Sequence, residues 1–201
     1  MTIHTDETAR YVTEATRQWL EKAVIGLNLC PFAKSVHIKK QIRYAVSRAT
    51  SEEELHLDLI AELQALQDAD PDSIDTTLLI HPWALTDFLS YNNFLDLADA
   101  TVAGLGLAGK IQIASFHPQY QFADAEPDDI SNFTNRSPYP MLHLLREESI
   151  DRAVAAFPDA EEIFGRNIET MRRLGYEGWK QLNIATGLLP EAQESGEKKK
   201  N

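Results

Sequence analysis

Cysteine is almost missing from this chain: Cys30 is the only one in 201 residues. A single thiol closes no disulfide within the chain, which suits a reducing compartment, and it excludes structural zinc centres built from several thiolates. Long apolar runs are missing too, and nothing approaches the roughly 18 consecutive apolar residues of a membrane-spanning helix. The opening Met1-Thr2-Ile3-His4-Thr5-Asp6-Glu7 lacks the basic region and apolar stretch of a secretory signal, so the expectation is a cytoplasmic protein. Positive charge is scarce, with 19 Lys and Arg against 31 Asp and Glu and a formal net charge of −12. That balance argues against general binding to nucleic acid or to an anionic membrane, because neutralising phosphates needs clustered cations. The one basic cluster, Lys198-Lys199-Lys200, reads as a solvated tail. Also absent are a phosphate-binding glycine loop, a dinucleotide fingerprint and a Gly-x-Ser-x-Gly elbow.

What is present is ordinary globular material, 43% hydrophobic and 25% charged, enough for one domain with a substantial core. The expectation is a single α/β domain over residues 1–189, followed by a disordered tail, 190–201. Residues 5–27 read as a helix capped by Thr5, with Val12, Ala15, Trp19, Ala23 and Leu27 on its apolar stripe. Pro31 breaks it. Residues 42–48 alternate as a half-exposed strand, and Ser51-Glu52-Glu53-Glu54 is a capping box for a helix to about Gln67. Thr76–Ile80 is a short buried strand. Thr86 or Asp87 opens a helix that fades among Gly104, Gly106 and Gly109, and Lys110–Phe116 is a third strand. Ser137 caps a helix beginning at Pro138. A last helix follows the box Asp159-Ala160-Glu161-Glu162 and ends at Gly175. Strands separated by helices imply crossovers, hence a small, mostly parallel sheet of three strands or more with flanking helices.

Two strands end alike, Ile80-His81-Pro82-Trp83 and Phe116-His117-Pro118-Gln119. Each proline holds the histidine before it extended, making it the last strand residue. In a parallel sheet both imidazoles share the carboxyl edge, where open α/β sheets place ligands. If the strands are neighbours, about 4.8 Å apart, the pair could share one metal or one substrate. A plain strand terminator, each ring bonded to a nearby carbonyl, is the competing account for either histidine alone. The stretch from His117 to Ser137 has no helical or strand period. Structureless loops beyond roughly 12 to 15 residues are usually functional or disordered, and Tyr120, Phe122 and Phe133 argue for packing. Arg136, with Asn135 beside it, arrives at a helix start suited to anions, or pairs with Asp124, Asp128 or Asp129. On the expected helix Tyr139, His143, Arg146 and Glu147 share a side, so His143 and Glu147 could be metal ligands or an acid/base pair. Cys30 is a nucleophile activated by a histidine or, the stronger account, a buried structural residue. Asp87, Tyr91 and Asn92 could reach the same edge.

The chain resembles the family called domain of unknown function 1415, of bacteria and plastids. The likeness rests on Gly26-Leu27-Asn28-Leu29-Cys30-Pro31-Phe32-Ala33, on Ser115-Phe116-His117-Pro118-Gln119-Tyr120-Gln121-Phe122, and on Asn135 through Glu147. It covers most of the chain and implies no activity. From chemistry alone, the leading expectation is a small-molecule enzyme using His81, His117 and His143 with Glu147 around a divalent metal (zinc, iron or manganese). Arg136, Tyr120, Asn135, Tyr139 and Arg146 would hold an anionic substrate. Metal-free histidine or Cys30–histidine catalysis is the second reading. A non-catalytic module docking a basic partner through the long loop and Trp83 is the third.

Overall fold

A computed structural model of the chain describes residues 6–156, 162–185 and 187. Its sheet has four strands, β1 (Ile42–Val46), β2 (Thr76–Ile80), β3 (Ile111–Phe116) and β4 (Met141–Arg146), in the order β1-β2-β4-β3. β1 and β2 are parallel, whereas β4 runs antiparallel to both β2 and β3. The α/β class holds, but the sheet is mixed, which corrects the expectation of a mostly parallel one.

The correction comes from one segment. Ser137 and Pro138 have the chemistry of a helix start, yet the chain forms β4 there, and helix begins only at Glu147. Pro138 and Pro140 each keep the residue before them extended. Met141–Leu145, apolar but for His143, is then the near-continuous apolar run of a strand covered on both faces, which carries no period to betray it. Leu142 and Leu144 enter one core and Met141 the other.

The helices are α1 (Asp6–Trp19, continuing in wider π-type turns through Leu20–Ile25), α2 (Ala33–Ile38), α3 (Glu52–Asp68), α4 (Phe88–Gly104), α5 (Glu147–Ala155) and α6 (Ile163–Gln181). Ser51 Oγ accepts the Glu54 amide at 3.2 Å, and the Glu54 carboxylate accepts the Thr50 amide at 2.8 Å. Asp87 caps α4 by accepting the Ser90 amide at 3.0 Å. At Gly175, φ is 63°; the glycine kinks α6 rather than ending it. Thr5, Asp159–Glu161 and the tail expected over 190–201 lie outside the described residues.

α3 and α4 cover one face of the sheet through Leu55, Leu59, Leu63, Leu66 and Phe94 against Leu79, Leu142 and Leu144. α1 and the segment from Trp179 to Ala185 cover the other, with Val12, Trp19, Trp179 and Ile184 around Leu78, Ile80 and Met141. Trp179 and Ile184 are partly buried; each fully buried aliphatic or Phe side chain of these cores contributes about 1.5–3 kcal/mol. Gly187 (φ 75°) lies so close to the approach to β4 that a Cβ would stand 2.0 Å from the Pro138 carbonyl oxygen. No helix among the described residues is long and apolar enough to cross a membrane.

Arg146, at the far end of β4, donates to the Leu66, Ala69 and Ile74 carbonyls. Helix ends leave such carbonyls without intrahelical partners, so Arg146 is spent on closing α3 onto the sheet. Replacing it by Met should lower unfolding stability by about 2–3 kcal/mol in urea titrations. A midpoint equal to that of the parent chain would show that the clamp contributes nothing.

Candidate active site

β2 and β3 are each antiparallel to β4, so they point the same way, and His81 and His117 leave the same edge. With β4 between them the two strands are about 9.6 Å apart, twice the interstrand spacing; they are not neighbours as the sharing of one metal would require. Tyr91, from the second turn of α4, fills the gap. Its ring centroid lies 5.8 Å from that of His81, the planes within 17°, and 5.0 Å from that of His117. Its hydroxyl donates to the Met141 carbonyl at 2.8 Å and accepts the Phe116 amide at 3.0 Å. Met141 and Phe116 are cross-strand partners, so the phenol oxygen is a rung of the β3–β4 ladder. Phe88 closes the cluster, 5.4 Å from His117 and 5.3 Å from Tyr120 between centroids.

Backbone groups fix the tautomers. His117 Nδ1 accepts the Gln119 amide at 3.0 Å, leaving the proton on Nε2, which donates to the Leu85 carbonyl at 3.3 Å. His81 is the reverse: Nδ1–H donates to the Ala84 carbonyl at 2.9 Å, and Nε2 keeps a bare lone pair, buried and without a hydrogen-bond partner in the structure. The turn that supplies both carbonyls is strained, because Leu85 sits at φ 51°, a region costly for a branched side chain. Burial holds His81 down to about 4, against the help of the Ala84 carbonyl and with a further push from His117. Burial likewise holds His117 to about 4, although the Leu85 carbonyl and the nearby Asp87 carboxylate favour its charged form. Both rings are therefore neutral at physiological pH.

The other expected site residues go elsewhere. His143 is on β4 beside Met141, so strand alternation puts it on the α1 side, against Phe116, whereas Tyr91 packs in the α3/α4 core. Its Nε2–H donates to Thr76 Oγ1 at 2.7 Å, and that hydroxyl donates to the Leu144 carbonyl. Glu147 lies at the other end of β4, its amide on the Lys110 carbonyl. The expected helical pair of His143 and Glu147 is undone, since four residues along a strand do not share a helix face. Among the described residues no group of three or more His, Cys, Asp or Glu side chains could hold a metal ion.

The long loop is organised from within. The Arg136 guanidinium donates to the Tyr120 carbonyl at 3.2 Å and the Pro127 carbonyl at 2.7 Å and lies over Phe133, not on Asp124, Asp128 or Asp129. Asn135 clips the loop to β3 through the Ser115 carbonyl. Asn132, fully buried and overlooked in the sequence, accepts the Phe122 amide and donates to the Glu126 carbonyl. Tyr139 is buried in the α1-side core, its hydroxyl pushed up to about 12 by burial. Burial also raises the Cys30 thiol, keeping it protonated, and it makes no hydrogen bond to an imidazole.

A family model described as a protein of unknown function, DUF1415, matches residues 11–181. The chain belongs to that family. No curated protein and no solved structure matches it significantly. The match spans the histidine edge, the loop and all of α6. It attaches no activity to them.

Tyr91, expected as able to reach this edge, does so; the Ala84 and Leu85 carbonyls were the parts that sequence reasoning missed. Asp87, Ser90 and Tyr91 all fit an ordinary helix start, and a carbonyl has no side-chain signal. Unfolded imidazoles titrate near 6.5, the folded ones at His81, His117 and His143 near 4. Between those values the unfolded chain binds more protons, so stability should fall as pH drops through that window, by on the order of a few kcal/mol. Denaturant midpoints from pH 7 to 4 check it. A flat profile would mean that the rings carry charge in the fold. Tyr91→Phe should cost about 1–3 kcal/mol by the same measurement; no loss would mean that its hydroxyl is not a rung of the sheet.

Proposed function

We propose that the chain is a cytoplasmic small-molecule enzyme working by histidine acid–base chemistry at this edge. The observation that carries the reading is the His81 Nε2 lone pair, buried and unpartnered. Leaving such an acceptor unmade costs about 1–3 kcal/mol, a cost that a ligand donor would remove. The Ala84 carbonyl would hold the Nδ1 proton while Nε2 takes one from the substrate. A base held to about 4 becomes competent when a negative charge arrives beside it, since an adjacent anion favours the imidazolium. This favours an anionic substrate over a neutral one, and neither nucleic acid nor membrane. Access requires movement of the Pro82–Thr86 turn, and strained Leu85, whose carbonyl holds His117, is its natural hinge.

The metal reading has less to stand on, because its third imidazole lies across the sheet. The binding-module reading gains from the complete burial of His81 and His117.

Small carboxylates and phosphates screened by thermal shift should yield a ligand of the parent chain. His81→Phe, which keeps the ring stack on Tyr91, should lose at least roughly tenfold in affinity and all turnover, while His143→Leu retains both. Equal affinity in the His81 variant would remove this edge from function. Binding without turnover would favour the module, and tight zinc binding lost with His81 would restore the metal.

A further inference from the structure

The two imidazoles of the histidine edge give their protons to consecutive residues of one turn. His81 Nδ1–H donates to the Ala84 carbonyl at 2.9 Å, and His117 Nε2–H to the Leu85 carbonyl at 3.3 Å. The peptide joining Ala84 to Leu85 is the one under strain, because Leu85 holds φ at 51°, in the left-handed region that a branched side chain disfavours. The Leu85 amide makes no hydrogen bond with any described residue. One face of this peptide is thus committed to His81 and the other to no partner. The turn is closed by the Ala84 amide on the His81 carbonyl, at a long 3.4 Å.

Rotating that peptide by half a turn relieves the strain. It carries the Leu85 φ to about −130°, ordinary extended backbone. The Ala84 carbonyl then turns away from His81, and the Leu85 N–H swings toward the place it leaves. Two donors, His81 Nδ1–H and Leu85 N–H, face one another with no acceptor between them, and His117 Nε2–H points at the same turn. Buried donors left so are costly. An anionic oxygen removes that cost, since its bonds to N–H groups are charge-assisted. What holds the peptide in its present orientation is the carbonyl's bond to His81, the bond that an anion would replace. The Asp87 carboxylate, the charge beside His117, is itself held on the Ser90 amide and hydroxyl at 3.0 and 3.2 Å.

We propose that this edge holds an anionic oxygen, of a carboxylate or a phosphate, between His81 Nδ1–H and Leu85 N–H, in a site opened by a flip of the Ala84–Leu85 peptide. Without the ligand the Ala84 carbonyl fills that place, standing in for the ligand's oxygen. An anion on Nδ1–H favours charge on the ring, so Nε2 gains basicity as the site fills. The site rests on the reading of this edge as one that takes a ligand, and it adds which backbone group receives the charge.

The test is titration of the full chain with formate, acetate and inorganic phosphate at constant ionic strength, read from the Leu85 amide and the His81 ring nitrogens by NMR. Saturable shifts at both are expected, with Nδ1 still protonated and a dissociation constant of about 10 mM or tighter for at least one anion. Preference for phosphate assigns a phosphate ligand, and preference for acetate or formate a carboxylate. Two substitutions at Leu85 should act in opposite directions. Leu85→Gly removes the cost of the left-handed conformation, holds the peptide unflipped and should weaken binding roughly five- to thirtyfold. Leu85→Ile keeps the volume, raises that cost and should tighten binding. No saturable shift with any of the three anions, or a proton that moves to Nε2 on binding, overturns the site. Binding lost in His81→Phe but equal in the two Leu85 variants overturns the flip and leaves the ligand reading of the edge standing. Binding indifferent to His81 overturns both.

Discussion

The carboxyl edge of this sheet depends on one phenol oxygen. Tyr91 Oη stands between the Met141 carbonyl and the Phe116 amide, joining the last residues paired across β3 and β4. Its position obliges α4 to lie where it does and sets the Tyr91 ring between two imidazoles. The rings in turn reach for whatever the flanking turn offers, which is the Ala84 and Leu85 carbonyls. Burying this much polarity is tolerable only because nearly every group finds a partner. Among the described residues His81 Nε2 is an exception, as are the Tyr44, Thr77 and Tyr139 hydroxyls, and it alone of these is a basic nitrogen.

Much of this was legible in the sequence. The β1, β2 and β3 segments, the Ser51 and Asp87 caps and the α4 span follow from local rules that tertiary contacts did not override. The shared edge of His81 and His117 was also recoverable, because proline fixes the end of each strand. What failed was β4. A strand buried on both faces has no alternation, and a proline directly after a capping serine imitates a helix start. That one misreading put His143 and Glu147 on a helix and made β2 and β3 neighbours. The roles expected of Arg136 and Arg146 failed differently. Their partners are carbonyls brought in by distant segments, and no spacing of residue types records a carbonyl.

The structure divides the chain's cations by task. Arg136 and Arg146 are consumed in tying backbone, each replacing several hydrogen bonds that a loop or helix end would otherwise leave to water.

The central claim is that His81 is neutral in the fold, protonated at Nδ1 and bare at Nε2. Long-range ¹H–¹⁵N correlation of the imidazoles, assigned with a His81→Phe spectrum, reads protonation and tautomer directly. Across pH 7 to about 5 the account predicts an unprotonated Nε2 shift and a protonated Nδ1 shift for His81, both unchanged by pH. An Nε2-protonated tautomer, or a ring that titrates near its ordinary value, would contradict it.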